Sequence, residues 1–542
     1  MVQAGFLGVL LVLLAGAEAP RPVVEVTNFS RTSTYGEVVD FVQAVARGSE
    51  VVAVTTLATS AEGRPVPLVI LSQERVRTPE ERRATGKPAV LVMANIHAGE
   101  VEGKEACQML IRDVALGPLG YLLEHQVVLV VPIFNADGND KFGANRHDNG
   151  PELAGVRHNG QFLDLNRDYT KLESPEVRGL VHLFTSWDPV VVVDMHTTNG
   201  SYHREPVSYT TGINPNGARA LSDYMWGTFF PKVASALERE GWSSVPYGNF
   251  ADPLEPSTGW ENDAVEVRYG SNYVALRNRL AILDENYAYA DFKTRVLASY
   301  AFVREILHFT NERATELAAL VQRVDGETRD GYRGERFVSS WQLEPLMEVT
   351  VRSFEFEKKP TTPEERARLP WLGPFRLEPT STQRDYRLPY LARATPTTTV
   401  PLPAGYLLLP GFREAVEVLL AHGVGVERLG EPFSGRVERL AMEAVETARN
   451  IVQGHVAVTV KGEWVAAEEQ VPAGSLFVDL RQPLARLVPV LLEPSSSDGL
   501  ASWGFFNRAL VRQWSREPGI YPVLRVSSRP AVAMEVLQGV ER

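Results

Sequence analysis

The sequence predicts an α/β fold with a mixed, mostly parallel sheet flanked by helices, followed by a smaller α/β or β-rich C-terminal domain. Three runs are rich in Val, Ile and Leu without polar alternation, which is typical of strands buried on both faces. They span residues 88–96, 126–134 and 189–194. Helical periodicity between them, at 101–115 and 176–184, gives the strand–helix alternation of a parallel sheet.

The length of 542 residues exceeds what one hydrophobic core usually supports, so we expect more than one domain. Pro, Thr and Arg crowd together within 358–384, whereas strand and helix patterns resume at 405–409 and 412–422. The expected segments are a signal peptide (1–19), a first domain (20–330), a linker or irregular segment (331–395) and a C-terminal domain (396–542).

The N-terminus predicts export. An almost uninterrupted apolar run from Gly5 to Gly16 precedes Ala17-Glu18-Ala19, a small-x-small cleavage pattern. The alternative, a membrane anchor, needs about 20 apolar residues, and this run is shorter. We therefore expect cleavage after residue 19, a secreted or periplasmic protein, and no stable membrane insertion after cleavage.

Charge and cysteine content narrow the class of protein. The formal net charge of -12 argues against a nucleic-acid partner, which usually selects a basic patch. The one cysteine, Cys107, rules out an intrachain disulfide, which favours a bacterial envelope or extracellular protein. Cys107 itself lies in a helical pattern and is expected as a small buried hydrophobe.

The segment His97-Ala98-Gly99-Glu100 offers an imidazole and a carboxylate where a strand turns into a helix. Taken alone, the pair is read more simply as a cap on that helix. His196 also follows a buried-strand pattern, and the carboxyl ends of parallel strands meet at one edge of a sheet. Two histidines, a glutamate and a water form an open, catalytic zinc site, whereas a structural site would usually need cysteines. His203 is the competing ligand.

Five short stretches follow one another along the chain: His97-Ala98-Gly99-Glu100, Asn135-Ala136-Asp137-Gly138, Asp164-Leu165-Asn166-Arg167-Asp168, Asp194-Met195-His196 and Leu280-Ala281-Ile282-Leu283-Asp284-Glu285. Together and in this order they resemble the zinc carboxypeptidases related to carboxypeptidase A. The resemblance covers roughly residues 35–305. Residues 482–487 and 491–500 also resemble the tail of large bacterial members, and a packing or substrate-delimiting role is expected there.

The resemblance implies a zinc carboxypeptidase-like fold and one zinc ion, which polarises the scissile carbonyl and acidifies a bound water. Glu285 would be the general base and later the proton donor to the leaving amine. Arg157 would stabilise the oxyanion, with Arg146 as its competitor. The implied zinc ligands are His97, Glu100 and His196.

The resemblance also implies a substrate-binding set. Asn166 and Arg167 would grip the terminal carboxylate of a peptide or protein substrate, although a loop salt bridge with Asp164 or Asp168 is the simpler reading without it. Tyr273 is the candidate for the substrate-capping tyrosine. Arg277 and Arg279 are alternative cationic contacts.

Two departures and one unassigned loop qualify the match. Gly99 stands where the digestive enzymes have a substrate-binding arginine, and Ala136 stands where a proline is usual. The loop that forms the specificity pocket is expected somewhere within 241–274.

Three functions remain open on the sequence. The first is a secreted zinc metallocarboxypeptidase, favoured by Asn166 and Arg167. The second is a zinc amidohydrolase or deacylase acting on acylated amino acids or cell-wall peptides. The third is a non-catalytic peptide-binding protein on the same scaffold, which the presence of Glu285 disfavours.

Overall fold

The protein is described here by a computed structural model that covers residues 19–145, 149–331, 335–368, 372–511 and 519–538. The apolar run from Gly5 to Gly16 and the competing Arg146 lie outside these residues. Within the described ranges, no helix combines the length and hydrophobicity that a membrane crossing requires.

The described strands fall into three larger sheets and one two-stranded sheet. In chain order they are β1 (Val52–Thr59), β2 (Pro65–Leu71), β3 (Ala89–Ala94), β4 (Val127–Val131), β5 (Gly143–Ala144), β6 (Leu153–Ala154), β7 (Val191–Thr198), β8 (Val207–Thr210), β9 (Ser244–Pro246), β10 (Asn249–Phe250), β11 (Trp260–Glu261), β12 (Leu280–Tyr287), β13 (Arg336–Pro360), β14 (Phe375–Pro401), β15 (Gly405–Leu408), β16 (Val426–Leu429), β17 (Phe433–Val452), β18 (His455–Val471), β19 (Leu476–Asp479), β20 (Val523–Val526) and β21 (Met534–Leu537).

The described α-helices lie mainly in the first two thirds of the chain. In chain order they are α1 (Val23–Val26), α2 (Tyr35–Gly48), α3 (Pro79–Thr85), α4 (Glu102–Ala115), α5 (Ala136–Asn139), α6 (Pro175–Ser186), α7 (Arg219–Tyr224), α8 (Phe230–Arg239), α9 (Gly270–Leu276), α10 (Phe292–Glu312), α11 (Ala314–Gly331), α12 (Pro363–Arg368), α13 (Arg413–Ala421), α14 (Leu487–Leu492) and α15 (Asn507–Leu510).

The central sheet is the mixed, mostly parallel sheet that the sequence predicts. Its eight strands follow the order β1-β2-β4-β3-β7-β12-β8-β9. The four middle strands β4, β3, β7 and β12 are parallel to one another. The pairs β1–β2, β2–β4 and β12–β8 are antiparallel. The α/β fold class is confirmed, and the three buried runs of the sequence form β3, β4 and β7.

The valine-rich runs form strands because both of their faces are covered. On β3, Val90 and Val92 pack into the core on one side of the sheet, and Leu91 and Met93 pack into the core on the other. Successive side chains of a strand point to opposite faces, so a strand buried on both faces needs an unbroken apolar run. This burial holds the strand ends, and hence the site, on a rigid frame.

The segment 331–395, expected as a linker or irregular segment, is instead mostly regular, and this expectation was wrong. β13 and β14 pair antiparallel from Arg336 with Pro401 to Pro360 with Phe375. The pair joins β11 and β10 in a four-stranded sheet. Many residues of the β13–β14 hairpin are exposed or half-buried, so its sequence lacks the clear alternation that marks a strand.

The C-terminal part forms a seven-stranded antiparallel sheet in the order β18-β17-β20-β15-β19-β16-β21, with helices α13 to α15. β17 and β18 extend from it as a long hairpin whose two-residue turn is Gln453-Gly454. The sheet-rich C-terminal part agrees with the predicted fold class. β14 runs past residue 396, where the C-terminal domain was expected to begin, and the domain boundary stays a prediction.

Candidate metal centre and substrate cavity

Three neighbouring strands of the central sheet supply the site. His97 follows the end of β3, His196 lies near the end of β7, and Glu285 lies near the end of β12. β7 and β12 are parallel and in register, so that His196 and Glu285 are direct partners. The topology therefore brings together, at the carboxyl edge of the sheet, residues that are far apart in sequence.

The turn after β3 sets the spacing of His97 and Glu100. Asn95 adopts a positive φ of 65°, and its side-chain amide donates to the carbonyls of Ala98 and Glu100 at 3.3 and 3.1 Å. Gly99 lies against Gly155, and a Cβ at position 99 would approach the Gly155 carbonyl oxygen to 2.9 Å. This contact gives a physical reason for glycine where the digestive enzymes carry an arginine.

His97, Glu100 and His196 form a buried group, called the metal group below, whose potential ligand atoms all lie within 4.8 Å of one another. The two carboxylate oxygens of Glu100 each lie 3.0 Å from a histidine Nδ1, one of His97 and the other of His196. Two imidazoles and one carboxylate that leave a fourth position open are the donor set of a catalytic zinc site.

Carboxylates behind the two histidines orient the rings. Asp164 Oδ1 lies 3.0 Å from His97 Nε2, and Asp194 Oδ2 lies 3.2 Å from His196 Nε2. Such partners fix which ring nitrogen faces a metal, and they make that nitrogen a better ligand. The Nδ1 atoms of both rings are thereby directed at Glu100, as a shared metal would require.

The electrostatics of the group favour an ionised Glu100. Burial opposes its ionisation, but the adjacent His97 and His196 outweigh burial and hold the pKa of Glu100 well below its usual range. Burial likewise opposes protonation of His196, yet Asp194 and Glu100 raise the pKa of that histidine well above its ordinary value. Such concentrated negative charge around two imidazoles suits a divalent cation.

A polar cavity of about 260 Å³ opens over this group. It contains seven of the residues that the sequence assigned to the site: His97, Glu100, Arg157, Asn166, Arg167, His196 and Glu285. Five further lining residues fall within 241–274, where the pocket wall was expected: Tyr247, Asp263, Ala264, Tyr269 and Ser271.

Glu285 and its neighbour Asp284 face opposite sides of the sheet. Glu285 lines the cavity, and its Oε2 is buried without a hydrogen-bond partner among the described residues. Burial raises the pKa of Glu285 to about 8, and Glu100 adds to this while His196 opposes it. Asp284 accepts a hydrogen bond from Ser299 on α10, at 2.7 Å.

Asp164 contacts both His97 of the metal group and Arg157 of the cavity wall. Its Oδ2 accepts a hydrogen bond from Arg157 Nε at 2.8 Å, and its Oδ1 accepts one from the backbone N–H of Asn166 at 3.0 Å. Burial opposes its ionisation, but His97, Arg157 and Arg167 hold the pKa of Asp164 below its usual range. The sequence motif contained this residue, but only as a possible loop salt bridge.

The guanidinium of Arg167 lies over the ring of Tyr269, 4.4 Å from its centre. Asn166 accepts a hydrogen bond from the backbone N–H of Gly270 at 2.9 Å, which links the loop to the start of α9. Arg167 and Asn166 thus stand on one wall of the cavity with Tyr269 beneath the arginine.

Tyr273, the expected capping tyrosine, does not reach the cavity. Its side chain is fully buried, and its hydroxyl lies 2.7 Å from His422 Nδ1 of the C-terminal part. Tyr247 and Tyr269 line the cavity in its place. The tyrosines at 269 and 273 flank the same turn of α9, so the sequence pattern does not distinguish which one faces the substrate.

The alternative residues His203, Arg277 and Arg279 lie outside the cavity. His203 is buried and stacks on Tyr287, with ring centres 3.9 Å apart, away from the metal group. Arg277 donates to the carbonyl of His422, and Arg279 pairs with Asp188 and Asp325. They hold the structure together around α9.

Comparison with known proteins agrees with this geometry. Residues 38–224 match the sequence profile described as zinc carboxypeptidase. Over these residues the chain is similar to the zinc carboxypeptidase family. The match supports the metallocarboxypeptidase class of hydrolase that the five sequence stretches predicted.

Curated relatives extend over most of the chain. "Carboxypeptidase 2" of Trichophyton tonsurans is 25% identical over 494 residues, which cover 86% of this chain and 81% of that protein. "Carboxypeptidase 2" of Trichophyton equinum gives the same values. Among solved structures, a metallo-carboxypeptidase from Burkholderia cenocepacia is 18% identical with a TM-score of 0.39, covering 52% of this chain and 70% of that one.

The residues present fit the zinc of this family. The donor atoms come from two histidines and one glutamate, all buried, and both rings are backed by carboxylates. Zinc bound to such a set polarises a carbonyl and activates water.

Proposed function

We propose that the protein hydrolyses C-terminal peptide bonds, with one zinc held by His97, Glu100 and His196. The observation that carries the proposal is the presence of Arg167 and Asn166 in the same cavity as the metal group. A guanidinium and an amide beside a hydrolytic centre suit a substrate with a free carboxylate. This arrangement selects the last residue of a peptide.

Glu285, Arg157 and one tyrosine of the cavity have chemical roles in this proposal. Glu285 takes a proton from the attacking water and later gives it to the leaving amine, for which a pKa raised toward the working pH is suited. Arg157, whose Nη1 lies 3.5 Å from Glu100 Oε1, is placed to stabilise negative charge that develops on the scissile carbonyl oxygen. Tyr269 or Tyr247 replaces Tyr273 as the candidate for closing over the substrate.

Hydrolysis of an acylated amino acid is the second candidate, because such a substrate also bears a carboxylate next to an amide. A purely binding role is disfavoured by Glu285, a buried carboxylate without a hydrogen-bond partner among the described residues. Burial of such a group is costly, and a catalytic role accounts for retaining it.

A release assay separates these candidates. N-blocked dipeptides with a free carboxylate are compared with their C-terminal amides and with N-acetyl amino acids, each before and after treatment with a chelator. We expect rapid, chelator-sensitive release from the free acids and slow release from the amides. Preferential hydrolysis of the N-acetyl amino acids would support the deacylase, and binding without release would support the non-catalytic role.

Arg167→Lys should raise KM for the free-acid dipeptide by about tenfold with a smaller change in kcat, since lysine keeps the charge but loses the planar fork. The matched control is Arg178→Lys, which changes an exposed arginine on α6. Steady-state kinetics on both variants checks this. An unchanged KM in Arg167→Lys would place the carboxylate elsewhere.

We also propose export, with cleavage after residue 19. The support is the apolar run followed by Ala17-Glu18-Ala19. N-terminal sequencing of the protein purified from its native host should begin at Pro20. A chain that retains Met1 in the cytoplasm would contradict export.

A further inference from the structure

The loop 164–174 carries Asn166 and Arg167, and it is covered by the C-terminal part of the chain. Its apolar side chains Leu165, Tyr169 and Leu172 belong to one continuous core cluster that also contains Tyr406 and Leu419 of the C-terminal part. The substrate-binding loop is therefore packed between two sheets that are distant in sequence.

The tip of the β17–β18 hairpin reaches the beginning of this loop. The backbone N–H of Asp164 donates to Gln453 Oε1 at 2.9 Å. Gln453 and Gly454 both have positive φ values, 54° and 77°, in a two-residue turn that usually favours Asn-Gly or Asp-Gly. The longer glutamine at a strained position is explained by its reach to Asp164.

Two side chains of the C-terminal part hold the middle of the loop at Thr170. Trp503 Nε1 donates to the Thr170 hydroxyl at 3.2 Å, and His422 Nε2 lies 3.1 Å from the Thr170 carbonyl oxygen. His455, next to the hairpin tip, lies 2.6 Å from Glu173 near the end of the loop. The loop is thus contacted at its start, middle and end.

Asp498 fixes the tyrosine that supports Arg167. Its Oδ2 accepts a hydrogen bond from the backbone N–H of Arg268 at 3.1 Å, and its Oδ1 lies 2.7 Å from Arg268 Nε. Arg268 directly precedes Tyr269, whose ring lies beneath the guanidinium of Arg167. Asp498 is only 2% exposed, so this contact is a buried, charged one that is costly to disturb.

We infer that the C-terminal part acts as a positioning element for the carboxylate-binding residues: Gln453, Trp503 and Asp498 set the placement of Asn166 and Arg167. The inference rests on the proposed function. Asp498 and Gln453 touch no residue of the metal group and act through the loop and through Tyr269. Their role is in the affinity for a terminal carboxylate, and it leaves the bond-breaking groups in place.

The test uses full-length enzyme and a selectivity ratio, namely kcat/KM for a free-acid dipeptide divided by kcat/KM for its C-terminal amide. Asp498→Asn should lower this ratio about tenfold, through a higher KM for the free acid, with kcat changed less than about twofold. Gln453→Ala, a change at a half-exposed hairpin tip that does not open the core, should lower the ratio about threefold.

Each variant has a matched control. Glu493→Gln removes another buried carboxylate, which pairs with Arg525 inside the C-terminal sheet away from the loop. Gln470→Ala makes the same substitution as Gln453→Ala at the opposite end of the hairpin. Both controls should keep the wild-type ratio, even where Glu493→Gln lowers the melting temperature, because a smaller folded fraction reduces both rates equally.

The outcomes separate the inference from the proposed function. A wild-type ratio near one would contradict the proposed carboxylate recognition itself. A high wild-type ratio that falls in Arg167→Lys but is unchanged in both Asp498→Asn and Gln453→Ala would overturn the inference alone. A fall of the ratio in Glu493→Gln equal to that in Asp498→Asn would also overturn it, because the effect would then be one of domain stability.

Discussion

Glu285→Gln should lower turnover of a free-acid dipeptide by at least about 100-fold, and by as much as about 10,000-fold, which is the range of general acid–base catalysis. Glutamine keeps the size of the side chain but cannot accept the proton of the attacking water. Because Glu285 is outside the group of donor atoms, metal content should stay at the wild-type level. Steady-state kinetics and metal analysis of the same preparation test both statements.

The matched control is Asp284→Asn, which changes the adjacent carboxylate on the same strand. Asp284 faces Ser299 on the other side of the sheet, so this variant should retain turnover even if it is less stable. Near-normal turnover in Glu285→Gln together with loss in Asp284→Asn would contradict the assignment of the base. If neither substitution mattered, this mechanism would have to be abandoned.

His196→Ala should lose most of the bound metal and, with it, nearly all activity. The substitution removes one of three donors and leaves Glu100 Oε2 without its histidine partner. Loss of a first ligand typically costs more than the 10- to 100-fold in metal affinity that is usual for the residues behind a ligand. Metal analysis after dialysis measures the loss, and circular dichroism checks that the fold remains.

His203→Ala is the matched control, because His203 is also buried and lies nearby in sequence. It stacks on Tyr287 and is not one of the grouped donors, so its removal should leave the metal content unchanged. Full metal occupancy in His196→Ala with loss in His203→Ala would reverse the two assignments.

The sequence predicts the central sheet and the metal group for the same physical reason. Strands buried on both faces require unbroken apolar runs, and the runs that become β3 and β7 end beside His97 and His196. Parallel strands place these ends at one edge. Glu285 follows another apolar run, Leu280 to Leu283, and the alternation of side chains along β12 separates it from Asp284.

Other features depend on contacts that leave no local pattern. The β13–β14 hairpin has both faces partly exposed, so Pro, Thr and Arg outweigh any alternation, and the sequence pattern therefore predicts a linker. Tyr269 and Tyr273 are one helical turn apart, so the sequence does not show which of them faces the cavity. In the structure Tyr273 packs against His422, and Tyr269 lines the cavity. The hydrogen bond from the backbone N–H of Asp164 to Gln453 joins residues 289 positions apart in sequence.

The most direct test of the account is a titration of metal-free protein with zinc, followed by release from a free-acid dipeptide. If one zinc bound by His97, Glu100 and His196 supports hydrolysis, activity should rise linearly and level off at one equivalent. In His196→Ala the same titration should restore almost no activity. Full hydrolysis by the metal-free protein, or a plateau that needs two equivalents, would contradict the account.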